Sequence, residues 1–266
     1  MSAWLTIAHK EWSDHLRNGW VLAITVAMTV FALLISLAGF GLAGSLGVGD
    51  QGATLLSLMS LVIYLIPLLG LLLGYDAVAG EHERGTMDLL LSFPISPVAL
   101  LIGKWLGLSA VLALALTLGL ASPMVLAVSG GQALGDWLIF GALSAWLGAA
   151  FIAIALLLST LSRERGRLLG IALGLWLVLV VMFDLGVIAL LVGTGGDVPP
   201  ALVSALFYTN PASLFRFLGL RILLDADALA QTGFASAIPS AWSAALSLAG
   251  WTWVPLAAAA LRFRRG

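Results

Sequence analysis

Residues able to do chemistry are few in this chain, and most of them crowd one stretch. Between Gly80 and Lys104 stand Glu81, His82, Glu83, Arg84 and Asp88, with apolar runs on either side. A zinc protease would place two histidines around a glutamate as His-Glu-x-x-His, and Glu81-His82-Glu83 is not that pattern. The other histidines, His9 and His15, lie near the N-terminus, so no Ser–His dyad can meet inside an apolar span. Gly103-Lys104 resembles the end of a phosphate-binding loop. However, Trp105 stands where that loop needs Ser or Thr, and Val98 where it needs Gly. The chain has no cysteine and its methionines are scattered, so thiolate and soft-metal sites have no ligand set. The residues therefore predict no catalytic centre, no metal and no cofactor in this chain.

Two carboxylates fall in or near apolar runs. Asp184, in Met182-Phe183-Asp184-Leu185, sits well inside one. A carboxylate in lipid is costly unless it is partnered, so Asp184 either serves a pathway or bonds a neighbouring helix. Asp76, in Gly74-Tyr75-Asp76, lies at the end of another run and reads as a hinge or interhelix contact. Arg163, Arg165 and Arg167 form a tight basic turn, suited either to anionic lipid or to a second protein contact.

The elements that must hold these residues are membrane helices. Hydrophobic residues make up 61% of the chain and charged residues 9%, against roughly 25% charged in a soluble domain. A membrane barrel needs alternating strands of about ten residues; the apolar runs here are about twice as long and do not alternate. The expected fold is an all-α membrane protein with spans at about 20–42, 54–79, 98–128, 137–160, 168–192 and 244–261. A single domain covers residues 1–266. A net charge of −1 says nothing about nucleic acid, but no basic patch is large enough to suggest it, so no nucleic-acid partner is expected.

Three further segments complete the pattern. Before the first span, Trp4, Leu5, Ala8, Trp12 and Leu16 share one helical face, and Thr6, Lys10, Ser13, Asp14 and Arg17 the other. That predicts an amphipathic helix at the membrane interface, with Lys10 and Asp14 paired across one turn. After the second span, Thr86 can cap a short helix through Phe93, with Met87, Leu90 and Leu91 apolar and Pro94 ending it. An apolar helix in water marks a contact for a partner. The 193–243 connection contains Asn210-Pro211, a cap and first residue, so Ser213–Ala230 reads as a re-entrant or surface helix. Ten basic residues fall on one side of the predicted membrane, and only Arg216 and Arg221 on the other. By the positive-inside rule both termini and the Gly80–Lys104 segment are cytoplasmic.

Glu81-x-Glu83-x-Gly85-Thr86-x-x-Leu89-Leu90-Leu91-Ser92-x-Pro94-Ile95-Ser96, followed by Gly103-Lys104, resembles the coupling segment of ABC-2-type transporter permeases. The resemblance implies that this segment docks into a groove on a separate ATPase, which would bind ATP and magnesium. Glu81, Glu83, Gly85, Thr86, Met87, Leu90, Leu91 and Pro94 would form the contact, with Arg163 and Arg165 as a second one. Further motifs are similar to one branch of the family, the permeases that serve nitrous oxide reductase maturation. They include Ala8-His9-Lys10-Glu11-Trp12, Leu73-Gly74-Tyr75-Asp76, Phe183-Asp184-Leu185 and Asn210-Pro211-Ala212. That branch implies a homodimer in the bacterial inner membrane, paired with cytoplasmic ATPase subunits and a periplasmic copper-handling subunit. Its output would be assembly of a copper–sulfur centre, by export of a small species or by mechanical transmission. Arg216 and Arg221 would face the periplasmic partner. A generic ABC-2 exporter of lipid, drug or glycan is the alternative.

Overall fold

A computed structural model describes residues 3–17, 19–46, 51–87, 95–223 and 239–263. Among them all regular structure is helical. Helix α1 (Ala3–Leu16) leads into α2 (Gly19–Leu46), α3 (Gln51–Gly74) and the one-turn α4 (Ala79–Glu83). Two long helices follow, α5 (Pro97–Ser129) and α6 (Leu134–Ser159). The fifth span runs through α7 (Arg165–Trp176), a π-helical stretch (Leu177–Met182) and α8 (Phe183–Gly193). Then come α9 (Pro200–Tyr208), α10 (Pro211–Leu223) and the last span, α11 (Ala241–Phe263). Five helical runs are long and apolar enough to cross a membrane. A sixth arises when α1 and α2, bent 69° from one another, count as one broken span. The five runs fall within a few residues of the expected spans; the run for the second span covers Ser57–Glu83, across a turn at residues 75–78 that separates α3 from α4.

Small residues let the spans approach closely, as packing in lipid requires when there is little hydrophobic drive between helices. A Cβ on Gly74 would lie 2.7 Å from the Ala155 Cβ, and one on Gly70 would lie 3.1 Å from the Gly148 carbonyl oxygen. These contacts bind α3 to α6. Helix α2 meets α5 at Gly119, where a Cβ would come 2.8 Å from that of Met28. Met28, Leu58, Ile66, Leu108, Leu112, Phe140 and Phe151 fill the shared core.

The connection after the fifth span differs from expectation. It holds two helices, α9 and α10, and the described part of α10 ends at Leu223; residues 224–238 lie outside the described set. Asn210 caps α10 as the sequence predicts, its Oδ1 accepting from the Ala212 amide at 2.8 Å. The helix does not lie on the surface. Leu214 and Phe215 are fully buried in the core shared with α3, α6 and α11. This favours the re-entrant reading.

Candidate functional site

The basic end of the bundle gathers most of the residues singled out above. Helix α1 lies against the start of α5, and two glycines make this possible. A Cβ on Gly103 would meet the Trp4 carbonyl oxygen at 2.8 Å, and one on Gly107 would meet the Ala8 carbonyl oxygen at 2.7 Å. The face of α1 seated there carries Ile7 and Glu11, while Trp4, Leu5 and Leu16 of the expected apolar face stay exposed. The amphipathic helix therefore has two apolar contacts, one for protein and one left outward. Lys10 pairs with Asp14 at 3.7 Å, as the spacing predicts.

Between α1, α4 and α5 lies a buried ion cluster. Lys104 is 1% exposed, and its Nζ donates to Glu11 Oε1 and Glu81 Oε1, both at 2.7 Å. Lys10 stands 3.7 Å from the same Glu81 oxygen and 3.9 Å from Glu11. Glu81 Oε2 is buried without a hydrogen-bond partner. Two ammonium groups thus face two carboxylates. A buried charge persists only when paired in this way, because leaving water costs several kcal/mol per ion. Sequence reasoning passed over Glu11. The available signal was an acidic residue four positions after Ile7, facing a span whose first turns contain a lone lysine.

Helix α4 ends in a Schellman turn. Gly85 adopts φ 68°, its amide donates to His82 O at 3.1 Å, and the Thr86 amide reaches back to Glu81 O at 3.0 Å. The Thr86 hydroxyl also bonds Glu81 O, at 3.2 Å, so Thr86 closes the preceding helix. The amide donors expected for Thr86 as an N-cap fall within residues 88–94, which lie outside the described set and include Leu90, Leu91 and Pro94. Glu83, Arg84, Gly85 and Thr86 are exposed. Glu81 and Met87 are not: Glu81 is held by Lys104, and Met87 packs with Ile7, Val78, Leu100, Leu101 and Ala259. This corrects the expectation that both offer side chains to a partner; their own chain already fills those contacts.

The turn that separates α3 from α4 is fastened to two other spans. The Ser159 hydroxyl, at the end of α6, accepts from the Val78 and Ala79 amides at 2.9 and 3.1 Å. Asp76 is bridged by the Arg165 guanidinium, and the Arg165 amide donates to Glu83 Oε1 at 3.0 Å. Asp76 is therefore an interhelix contact, as the sequence suggested, and Arg165 spends its charge inside the chain. Arg163 is exposed two residues earlier.

At the opposite end Asp184 also has a partner. Arg216 grips it with two bonds, 2.6 Å to Oδ2 and 3.2 Å to Oδ1. Asn210 donates through Nδ2 to the carbonyl of Leu179, inside the π-helical stretch, where the wider turn alters the backbone bonding. Of the two arginines expected to face a partner, Arg216 is thus engaged by α8, and Arg221 is exposed near the end of α10. No group of three or more metal-ligating side chains occurs among the described residues.

The family model described as ABC-2 family transporter protein matches residues 5–266. A probable ABC transporter permease protein NosY of Pseudomonas aeruginosa is 40% identical over 98% of this chain and 97% of its own length. The protein of the same description from Stutzerimonas stutzeri is 40% identical over 80% of each chain. With its membrane-spanning helices and full-length match, the chain belongs to the ABC-2 family of transporter proteins.

Proposed function

We propose that this chain is the permease subunit of a NosY-like ABC transporter of the bacterial inner membrane. It acts as a homodimer, with both termini and the basic end in the cytoplasm. A separate ATPase binds ATP and docks on the segment from Glu83 to Pro94. A periplasmic copper-handling subunit engages the opposite end, and the complex serves copper–sulfur centre assembly in nitrous oxide reductase. The observation that carries the docking reading is the anchorage of α4. Lys104 ties it to α1 and α5, Ser159 ties the preceding turn to α6, and Asp76 with Glu83 joins it to α7. A force applied beyond Thr86 would therefore reach four helices through bonded contacts, not through a loose loop. The 40% identity to the NosY proteins supports the choice of branch.

At the other end, the Asp184–Arg216 bridge and the Asn210–Leu179 bond link α10 to the fifth span. Motion of that span would carry α10 with it, which suits a relay to a periplasmic subunit. The mechanism asks nothing chemical of this chain. Its residues bind, lever and transmit, while the ATPase supplies the phosphoryl transfer.

Leu90→Asp tests the docking reading, because it places an unpaired charge in an apolar interface at a cost of about 1–3 kcal/mol. Co-purification of the ATPase should fall at least several-fold, and unchanged recovery would refute the assignment. Reporter fusions at the C-terminus should be active only as cytoplasmic fusions. A deletion strain should produce nitrous oxide reductase lacking its copper–sulfur absorption bands, restored by the wild-type chain. Normal bands in the deletion strain would leave the generic exporter as the better reading.

A further inference from the structure

The ion pairs at the basic end leave a remainder. A cavity of about 890 Å³ opens between α4, the turn after α6 and the end of α11. Arg163, Arg262 and His82 line it, and none of its described lining residues is acidic. Arg163 has no hydrogen bond or ion pair among the described residues. Arg262 uses Nε to reach the Thr160 carbonyl at 3.2 Å, which leaves its terminal nitrogens available. His82 commits Nδ1 to the Val78 carbonyl at 3.2 Å and keeps Nε2. Of the other cations at this end, Lys104 and Lys10 are matched with Glu11 and Glu81, and Arg165 with Asp76 and Glu83, while Arg17, Arg84 and Arg167 are exposed at the surface. Among the described residues, the lining brings two arginines together and holds no carboxylate.

Its other wall is apolar. Met87, Pro97, Leu261 and Phe263 contribute to it. From Leu261 an outward stripe continues up α11 through Val254 and Leu246, which are 57%, 68% and 64% exposed. These residues recur every seven or eight positions, so they share one face of the helix. A basic pocket that opens onto a lipid-facing helix stripe has the form of a headgroup site: the phosphate meets the arginines and an acyl chain follows the stripe. Basic pockets between membrane helices at the cytoplasmic boundary bind anionic headgroups in this way. We infer that this cavity binds the headgroup of an anionic phospholipid from the adjoining leaflet, through Arg163 and Arg262. The cavity shares Gly85 and Met87 with the segment proposed for ATPase docking, so lipid retention and ATPase co-purification are read separately.

The test uses the full chain in nanodiscs and measures thermal protection and lipid retention by native mass spectrometry. The probes are phosphatidylglycerol, phosphatidylcholine and inorganic phosphate. The wild-type chain should retain phosphatidylglycerol over phosphatidylcholine, and Arg163→Gln with Arg262→Gln should reduce that preference roughly tenfold to thirtyfold. Arg163→Gln alone removes no internal bond, so its weaker loss reads binding without a folding defect. Arg167→Gln, in the same turn but away from the cavity, should retain the preference. Equal retention of the two lipids by the wild type, or an unchanged preference in the double variant, would overturn the inference. Protection by millimolar inorganic phosphate that matches phosphatidylglycerol would assign the site to a free anion. Loss of ATPase co-purification with lipid retention intact would assign it to a protein contact.

Discussion

The two ends of the bundle fasten a non-spanning helix by different physics. At the basic end, Lys104 lies inside the protein between Glu11 and Glu81, with side-chain exposures of 2%, 8% and 5%. At the opposite end, Arg216 and Asp184 make a bidentate pair that is 32% and 24% exposed. The first arrangement is costly to break, because each ion left behind stays buried. The second is more open, because less protein encloses each charge. A buried cluster fixes α1 and α4 as one rigid unit with α5. A half-open bridge adds to the apolar packing of α10, whose Leu214 and Phe215 are buried in the core. The comparison teaches that one end is held chiefly by enclosed charge and the other chiefly by apolar burial.

Removing a buried partner gives the largest expected effect. Lys104→Met strands two carboxylates and should destabilise the chain by about 3–5 kcal/mol, read as lower thermal resistance in detergent. Replacing Lys104, Glu11 and Glu81 together by apolar residues of similar volume should recover most of that loss. If Lys104→Met is as stable as the wild type, the rigid-end reading fails.

The next effect is steric. Gly107→Leu drives a side chain into the backbone of α1, where even a Cβ would sit 2.7 Å from the Ala8 oxygen. Overpacking of this kind costs about 1–3 kcal/mol, or pushes α1 away. The chain has no cysteine, so engineered cysteine pairs between α1 and α5 report this directly. Crosslinking yield should collapse in Gly107→Leu. An unchanged yield would show that the close seat is not needed.

At the opposite end the effects of removing a polar partner are smaller. Asn210→Ala removes both a cap on α10 and a donor to Leu179, for a loss of about 1–2 kcal/mol. Hydrogen exchange should rise in the first turn of α10 and in the π-helical stretch together; a rise in only one would separate the two roles. Arg216→Gln should cost less than Lys104→Met, because the pair is less enclosed by protein. Exchanging the charges, with Asp184→Arg and Arg216→Asp, should restore activity if the bridge matters more than its polarity. If Arg216→Gln proves as damaging as Lys104→Met, the contrast between the ends disappears.

Much of this was legible in the sequence, because lipid sets strict rules. A helix must supply about twenty apolar residues to cross the hydrocarbon, so the spans can be counted from the chain alone. Charges must lie at the ends, so the basic end was visible from composition. Asn210-Pro211 announced the start of α10, and Asp76 its interhelix role, by local chemistry. Apolar residues surround each span, however, so the pattern does not say which face meets which neighbour. The rotation of each helix is settled by where small residues allow close approach, as Gly103 and Gly107 do beneath α1. Only that packing brings Lys104 to Glu11, 93 positions away, and Arg216 to Asp184, 32 positions away. The same packing turned Glu81 and Met87 inward. The sequence determined what each segment is, because solvent acts on every residue separately. The tertiary structure decided which charges meet, because a charge pair depends on two helices at once.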